Sequence, residues 1–385
     1  MWLFILGSVM IASVAGVLFV LSRMEKLTFI ERLSHGRANR KKLISFGILL
    51  MLCLIIYFLS GAMNLMIILI HLLIVWILAE LAATVVLKLC FGSRKSESRD
   101  ESASDTATKQ RCHNHEDYVA LFSVVFTCVY LAIGMYLNYS VVETDYTLST
   151  DKSVGDVRIV QFADSHIGTS LSGERLARYV DRMNTLEPDV VVITGDFIDE
   201  STNRKEMYAA CEALGRLKTR YGVYYAYGNH DRGYFRGDKR GYDGNDFAKA
   251  LEDNNVEILE DEAKLIDDRF YIVGRLDGAR LSAESIVEGL DKSRYMVMLD
   301  HEPSDYAAEA AVGADLVLSG HTHGGQLLPV IHAGEWMGAN DATYGYERIG
   351  DTDFIVSSGI SSWQIKFKTG CRSEFVVVDV HGTEK

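Results

Sequence analysis

Nine residues in the second half of the chain are of types that bind cations or carry protons, and each follows an apolar run. Asp164 and His166 come after 157–162, Asp196 after 190–194, and Asn229, His230 and Asp231 after 222–227. His301 follows 295–299, and His321 and His323 follow 315–318. The runs are short and rich in Val, Ile, Leu and Tyr, which reads as buried strands. Polar residues at the carboxyl ends of strands in an open α/β sheet converge on one crevice. Imidazole and carboxylate donors without a thiolate suit borderline divalent ions: Mn, Fe, Co, Ni or Zn. Two such ions about 3.5–4 Å apart can clamp an in-line displacement at phosphorus and generate hydroxide near neutral pH. One His after a strand is ordinary packing; five such clusters of the same chemistry are not.

The elements that must position these residues alternate. Helices are expected at 173–186 and 203–219, and later strands at 270–274, 295–299, 315–318, 354–357 and 374–380. Short strands alternating with helices indicate an α/β domain with parallel crossovers, here over 156–380. No internal repeat is present, and three Pro in 385 residues mark no linker.

In order, the clusters read D-x-H (Asp164, His166), G-D (Asp196), G-N-H-D (228–231), a lone His301 and G-H-T-H-G-G-Q (320–326). Together they resemble the calcineurin-like metallophosphoesterases, and with the apolar first half they are most similar to the bacterial membrane-associated branch. That branch contains phosphodiesterases and hydrolases of lipid-linked diphosphates such as UDP-diacylglucosamine. The resemblance implies a four-layer α/β/β/α sandwich of two facing sheets. It implies that Asp164, His166 and His323 hold a first ion, Mn above all, and that Asn229, His301 and His321 hold a second. Asp196 is expected to bridge them through its two oxygens. His230 is expected to face the scissile phosphate and protonate the leaving oxygen. Asp231 is expected to accept the proton on the other His230 nitrogen and so fix the tautomer.

The first half has a different chemistry. Lys, Arg, Asp and Glu are absent from 1–22, 43–59, 61–79 and 118–138. A helix needs about 20 mostly apolar residues to cross a bilayer. Four spans are therefore expected, at about 1–22, 43–60, 63–87 and 117–138, forming an all-α membrane domain over 1–138. Ser60-Gly61-Ala62 leaves room only for a tight hairpin. Met1-Trp2-Leu3-Phe4 lacks a basic start, so the first stretch reads as a retained span rather than a cleaved signal. Seven Lys/Arg in 22–42 and six in 88–116 put both loops in the cytoplasm. Residues 139–385 then lie on the opposite face of the cell membrane, with 139–155 as a linker.

Charge adds an exclusion. Of 39 basic and 52 acidic residues, 26 and 43 lie after residue 138. So acidic a domain disfavours nucleic acid as a partner. Residues 93–116 are polar without an apolar period and read as a flexible loop, with Cys112-His113-Asn114-His115 incidental to it. His71 and Glu80 are costly inside a span, and read as polar contacts within a bundle. The insert 232–242 interleaves basic and aromatic residues after His230 and reads equally as a phosphate-gripping lid or a solvated loop. Ser357-Ser358-Gly359 and 363–367 are expected to border the site, although Trp363 and Phe367 also suit a core. Cys211 and Cys371 are expected to be unpaired.

The expected function is hydrolysis of a phosphodiester or diphosphate bond by metal-activated hydroxide, on a phosphorylated, membrane-associated or lipid-linked substrate beside the bilayer. The alternatives are an anchored phosphodiesterase of soluble nucleotides, and a non-catalytic membrane sensor that uses the fold as scaffold. The sequence specifies no oligomeric state.

Overall fold

The computed structural model describes residues 2–91, 101–232, 240–278 and 280–383. The chain forms two compact units, Met1–Ile133 and Gly134–Lys385.

The first unit is helical: α1 (Trp2–Met24), α2 (Thr28–Ser34), α3 (Ala38–Phe91) and the start of α4 (Glu101–Tyr139). Among the described residues two helices are long and apolar enough to cross a membrane, Ala38–Val86 and His115–Tyr139, with a shorter apolar stretch at Val14–Met24. Two stand where four were expected: 43–60 and 63–87 belong to one element broken at Gly61 (φ 85°, ψ 171°), and of 1–22 only the shorter stretch Val14–Met24 registers. Leu49 and Leu73 line one small cavity with Gly16, Val17 and Val20. A straight helix would hold them about 36 Å apart, so α3 is doubled back at Gly61. Glu80 accepts hydrogen bonds from Arg23 Nη2 (2.6 Å) and Trp76 Nε1 (3.1 Å). His71 Nδ1 lies 2.8 Å from Ile67 O. Both polar residues are held by neighbours in this unit. Outward positions such as Phe58 and Leu121 are apolar.

The expected loop 93–116 is corrected in part. Residues 101–116 continue α4 as helix, since extending an existing helix avoids the cost of nucleation. Residues 92–100 and the side chains of 112–114 lie outside the described residues.

The second unit holds two six-stranded sheets. Its strands are β1 (Val142–Ser149), β2 (Asp156–Phe162), β3 (Val190–Thr194), β4 (Val223–Ala226), β5 (Val256–Ile258) and β6 (Glu262–Ile266), then β7 (Phe270–Gly274), β8 (Tyr295–Leu299), β9 (Leu316–Ser319), β10 (Gly345–Ile349), β11 (Thr352–Val356) and β12 (Glu374–His381). One sheet has the order β1-β12-β2-β3-β4-β5, the other β10-β11-β9-β8-β7-β6. The runs β2-β3-β4-β5 and β7-β8-β9-β11 are parallel, while β12 runs antiparallel to β2.

Strand alternation builds the layers. Ile159, Val192 and Ala226 of one sheet meet Ile272, Val297 and Leu318 of the other. Val160, Phe162, Ile193 and Tyr225 face outward onto α5 (Gly173–Asn184), α6 (Arg204–Leu214) and α7 (Gly244–Glu252). Met298, Val317 and Phe354 face α8 (Ala283–Val287) and α9 (Tyr306–Val312). The result is four layers, α/β/β/α. Strands covered on both faces need the continuous apolar runs seen in the sequence.

The expected linker 139–155 is also corrected. Residues 142–149 form β1, parallel to β12 from Val142–Glu374 to Ser149–His381. As an edge strand it requires no apolar run, which is why it was not legible. Cys211 is unpaired and buried in the outer core against α5 and α7, and Cys371 is also unpaired.

Candidate metal centre

The five clusters converge at the carboxyl ends of β2, β3, β4, β8 and β9. The loops that carry them are stitched together: Asp164 N donates to Gly195 O (3.0 Å), His166 N to Asp196 O (3.1 Å) and Gly320 N to His301 O (3.0 Å). Asp164, His166, Asp196, His321 and His323 all have left-handed backbone, with φ of 53°, 37°, 52°, 69° and 51°. Such strain in residues other than Gly persists where surrounding structure over-determines it, typically at functional sites. Close approach explains two glycines. A Cβ at Gly228 would collide with the Asp196 carboxylate, and one at Gly359 would lie 2.6 Å from Asp164 Cβ.

Two groups of side chains have potential ligand atoms within 4.8 Å of one another: Asp164, His166 and His323, and Asp196, His301 and His321. Asp196 Oδ2 lies 3.2 Å from His301 Nε2 and 3.7 Å from His166 Nε2, so one oxygen faces both groups. Asp196 Oδ1 instead accepts the backbone N–H of His230 at 2.8 Å. The expectation that both oxygens bridge therefore becomes a single oxygen between the groups. Asn229 joins the second group, its Oδ1 3.2 Å from His321 Nδ1. All seven expected ligands are brought together.

The donors suit cations on an observation independent of their type. His301 Nδ1 lies 2.8 Å from Thr194 O, which can only accept, so the proton is on Nδ1. A neutral His301 then turns a bare Nε2 lone pair toward Asp196 Oδ2, and that buried nitrogen has no hydrogen-bond partner. Two lone pairs at 3.2 Å require a proton or a cation between them. Likewise, the Nε2 atoms of His166 and His323 face each other at 3.2 Å. His166 Nδ1 lies 3.2 Å from Asp199 Oδ2, within ion-pair reach but outside hydrogen-bond alignment.

Electrostatics divides the imidazoles into two kinds. Burial opposes ionisation of Asp196, but the His301 and His166 imidazoles outweigh it and hold its carboxyl well below the usual range. Burial works against a charged His301, yet the Asp196 charge raises it well above the ordinary value. Burial and the His301 charge push His321 down to about 4, and burial and His166 push His323 well below normal. Neutral imidazole is the ligating form, so His321 and His323 are held in it, whereas a cation at His301 has to displace a proton.

His230 stands at the rim of this set, its ring 5.3 Å from His166 and 5.1 Å from Trp363. Its Nδ1 is 3.0 Å from Glu200 Oε1. Asp231 does not hold His230, contrary to the sequence expectation. Its carboxylate accepts the backbone N–H groups of Asp196 (2.9 Å), Phe197 (2.9 Å), Ile198 (3.2 Å) and Gly228 (2.7 Å), so it braces the Asp196 loop. Adjacency in sequence misleads here, because the chain turns Asp231 inward beneath His230. Glu200 and Asp199 were missed: both follow G-D in a loop with no periodic signal, and only folding brings them to the imidazoles.

The expected border segments are present. Lys368 is fully buried and donates to Gly359 O (3.2 Å), behind Asp164. Phe367 is buried, whereas Trp363 packs on His230. Of the insert after His230, residues 233–239 lie outside the described residues. At its ends Arg232 pairs with Glu260 and stacks on Tyr227, and Arg240 stacks on Tyr242.

A buried pair of Asp/His clusters sharing one carboxylate, at the strand ends of an α/β/β/α sandwich, defines the metallophosphoesterase class. Residues 157–325 match the calcineurin-like phosphoesterase family. An uncharacterised metallophosphoesterase of Aquifex aeolicus is 30% identical over 193 residues, covering 48% of this chain and 70% of that protein. One from Campylobacter jejuni is 28% identical over 284 residues, covering 69% and 72%. A zebrafish "transmembrane protein with metallophosphoesterase domain" is 29% identical over 300 residues, covering 73% of this chain and 64% of its own length. The chain belongs to the calcineurin-like metallophosphoesterase family. It spans 64% and 52% of the zebrafish and bovine transmembrane relatives.

Proposed function

We propose that the chain is a membrane-anchored phosphoesterase with two divalent ions, Mn above all, that hydrolyses a phosphodiester or diphosphate bond in a membrane-associated or lipid-linked substrate. The observation that carries this reading is the single Asp196 oxygen facing His301 on one side and His166 on the other. Asp164, His166 and His323 would hold one ion, and Asn229, His301 and His321 the other, with Asp196 between. The ions supply charge neutralisation at phosphoryl oxygens and activation of water.

The protein's own residues do the rest. Glu200 holds His230 Nδ1, which leaves Nε2 as the nitrogen that delivers a proton to the leaving oxygen. Its hydrogen bond raises the imidazole pKa, although burial pulls the other way. Asp231 fixes the 196–198 backbone and hence the Asp196 carboxylate. Trp363 beside His230 excludes water from one side of the ring.

The membrane part of the reading rests on the apolar helices Ala38–Val86 and His115–Tyr139, the first doubled at Gly61, and on the names of the transmembrane relatives. Beside these two helices of spanning length, the reading takes α1 and each arm of α3 as a pass. The basic loops then lie in the cytoplasm and residues 139–385 outside it.

The test uses full-length protein stripped of metal and reloaded with Mn²⁺, turning over bis-p-nitrophenyl phosphate and p-nitrophenyl phosphate. Metal-dependent turnover that is lost in Asp196→Asn is expected, with the diester preferred. Turnover that survives Asp196→Asn overturns the assignment.

A further inference from the structure

The segment after ligand His323 and Gln326 is unusually apolar for a surface. Leu328, Val330, Trp336 and Met337 are 42, 52, 72 and 54% exposed. Glu335, the one charged residue in 327–338, lies 3.1 Å from His332 Nδ1. Four large apolar side chains exposed within ten residues form a patch that a freely soluble domain would normally bury.

The position of this patch within the second unit says what covers it. Residues 134–139 are the final turns of the apolar helix His115–Tyr139. Gly134 O accepts from Lys368 N (3.0 Å), Leu137 O from Ser373 N (3.1 Å) and Ser140 O from Arg372 Nε (2.9 Å). The strip 367–373 that covers this helix end also holds the apolar segment. Thr369 Oγ1 accepts from Leu328 N (3.0 Å), and Gln326 O accepts from Thr369 N (2.8 Å). The apolar segment thus lies one layer of chain from the point where the spanning helix ends. That helix end is itself of interfacial type, with Met135 and Tyr136 exposed.

We infer that Leu328, Val330, Trp336 and Met337 form a second, interfacial contact with the lipid bilayer, seated among the headgroups beside the end of the last span. A helix that crosses a bilayer brings that bilayer against its own last turns, so this partner is always at hand. Trp favours the headgroup level, where its ring is buried and its N–H stays wet. A segment with one charge, already paired, loses little on entering that zone. The contact also fixes the candidate site near the membrane surface, because Cys371 of the covering strip reaches His323 O at 2.9 Å. The inference rests on reading His115–Tyr139 as a span.

The test places the full-length chain in phosphatidylcholine nanodiscs with plain or brominated acyl chains and compares tryptophan emission with that of Trp336→Phe. The emission lost on Trp336→Phe substitution is expected to be quenched by roughly half or more in brominated discs. An equal Trp336 contribution in plain and brominated discs overturns the inference, including the case in which a second copy of the chain covers the patch. Met337→Trp in the Trp336→Phe background provides a second probe, and its emission must be quenched as well. A chain that fails to enter discs removes the span and this inference together. Turnover is not read, so failure of the phosphoesterase proposal would be seen separately.

Discussion

Glu200 Oε1 lies 3.0 Å from His230 Nδ1, and this contact couples a loop carboxylate to the one imidazole at the rim of the metal centre. Burial disfavours the charged ring, but the Glu200 hydrogen bond together with the Asp196, Glu200 and Asp199 charges outweighs it, so the His230 pKa is raised. A general acid works in its protonated form, so activity should fall as pH rises through that raised value. Glu200→Gln keeps the shape and removes the charge. The alkaline limb of kcat should move to lower pH, with KM nearly unchanged. A pH–rate profile identical to wild type would remove Glu200 from the account.

Asp231 gives a contrasting expectation. Four backbone N–H groups converge on its two oxygens, and burial together with the Asp196 charge pushes its carboxyl up to about 6, leaving it ionised at neutral pH. Asp231→Asn puts an amide N–H₂ against two of those donors, at a cost of about 1–3 kcal/mol for each donor left unmatched. Metal affinity should fall because the Asp196 loop shifts, while the alkaline limb of kcat at saturating metal stays in place. A shifted limb with unchanged metal titration would restore the sequence expectation that Asp231 serves His230.

The second sheet carries a buried charge network that includes Asp300, the neighbour of His301. Arg275 Nη1 lies 2.8 Å from Asp300 Oδ2 and 3.0 Å from Glu309 Oε1, all fully buried, and Nη2 lies 2.8 Å from Asp305 Oδ2. Arg275→Met strands Glu309 in the interior, whereas Asp300 keeps Arg280 Nη1 at 2.7 Å, and should cost about 3–5 kcal/mol. Denaturant titration of the chain in detergent, read by near-ultraviolet circular dichroism, measures the loss. A change below about 1 kcal/mol would mean that Glu309 finds a proton or water instead.

The candidate ligands were legible as a converging set because each sits at the end of a strand buried on both faces, and such strands cannot hide their apolar runs. The hairpin break was legible too, since Gly61 lies between two charge-free stretches and alone adopts non-helical angles in α3. Strand β1 was not legible: Val142–Ser149 lies at a sheet edge, where three of its eight residues are exposed and only one is fully buried, and composition carries no period. Helix 101–116 was missed for a related reason, as it propagates from the apolar helix rather than forming on its own face. Glu200 and the inward turn of Asp231 depend on how two loops pack, which no local pattern encodes. That only one Asp196 oxygen faces both groups likewise depends on His230 N occupying the other.

The most direct test of the dinuclear reading is a metal count. Apo protein titrated with Mn²⁺, followed by elemental analysis after desalting, should bind two ions per chain, and Asp196→Asn should retain at most one. One ion in the wild type, or two retained in Asp196→Asn, would contradict a centre built around the oxygen that Asp196 turns toward both His166 and His301.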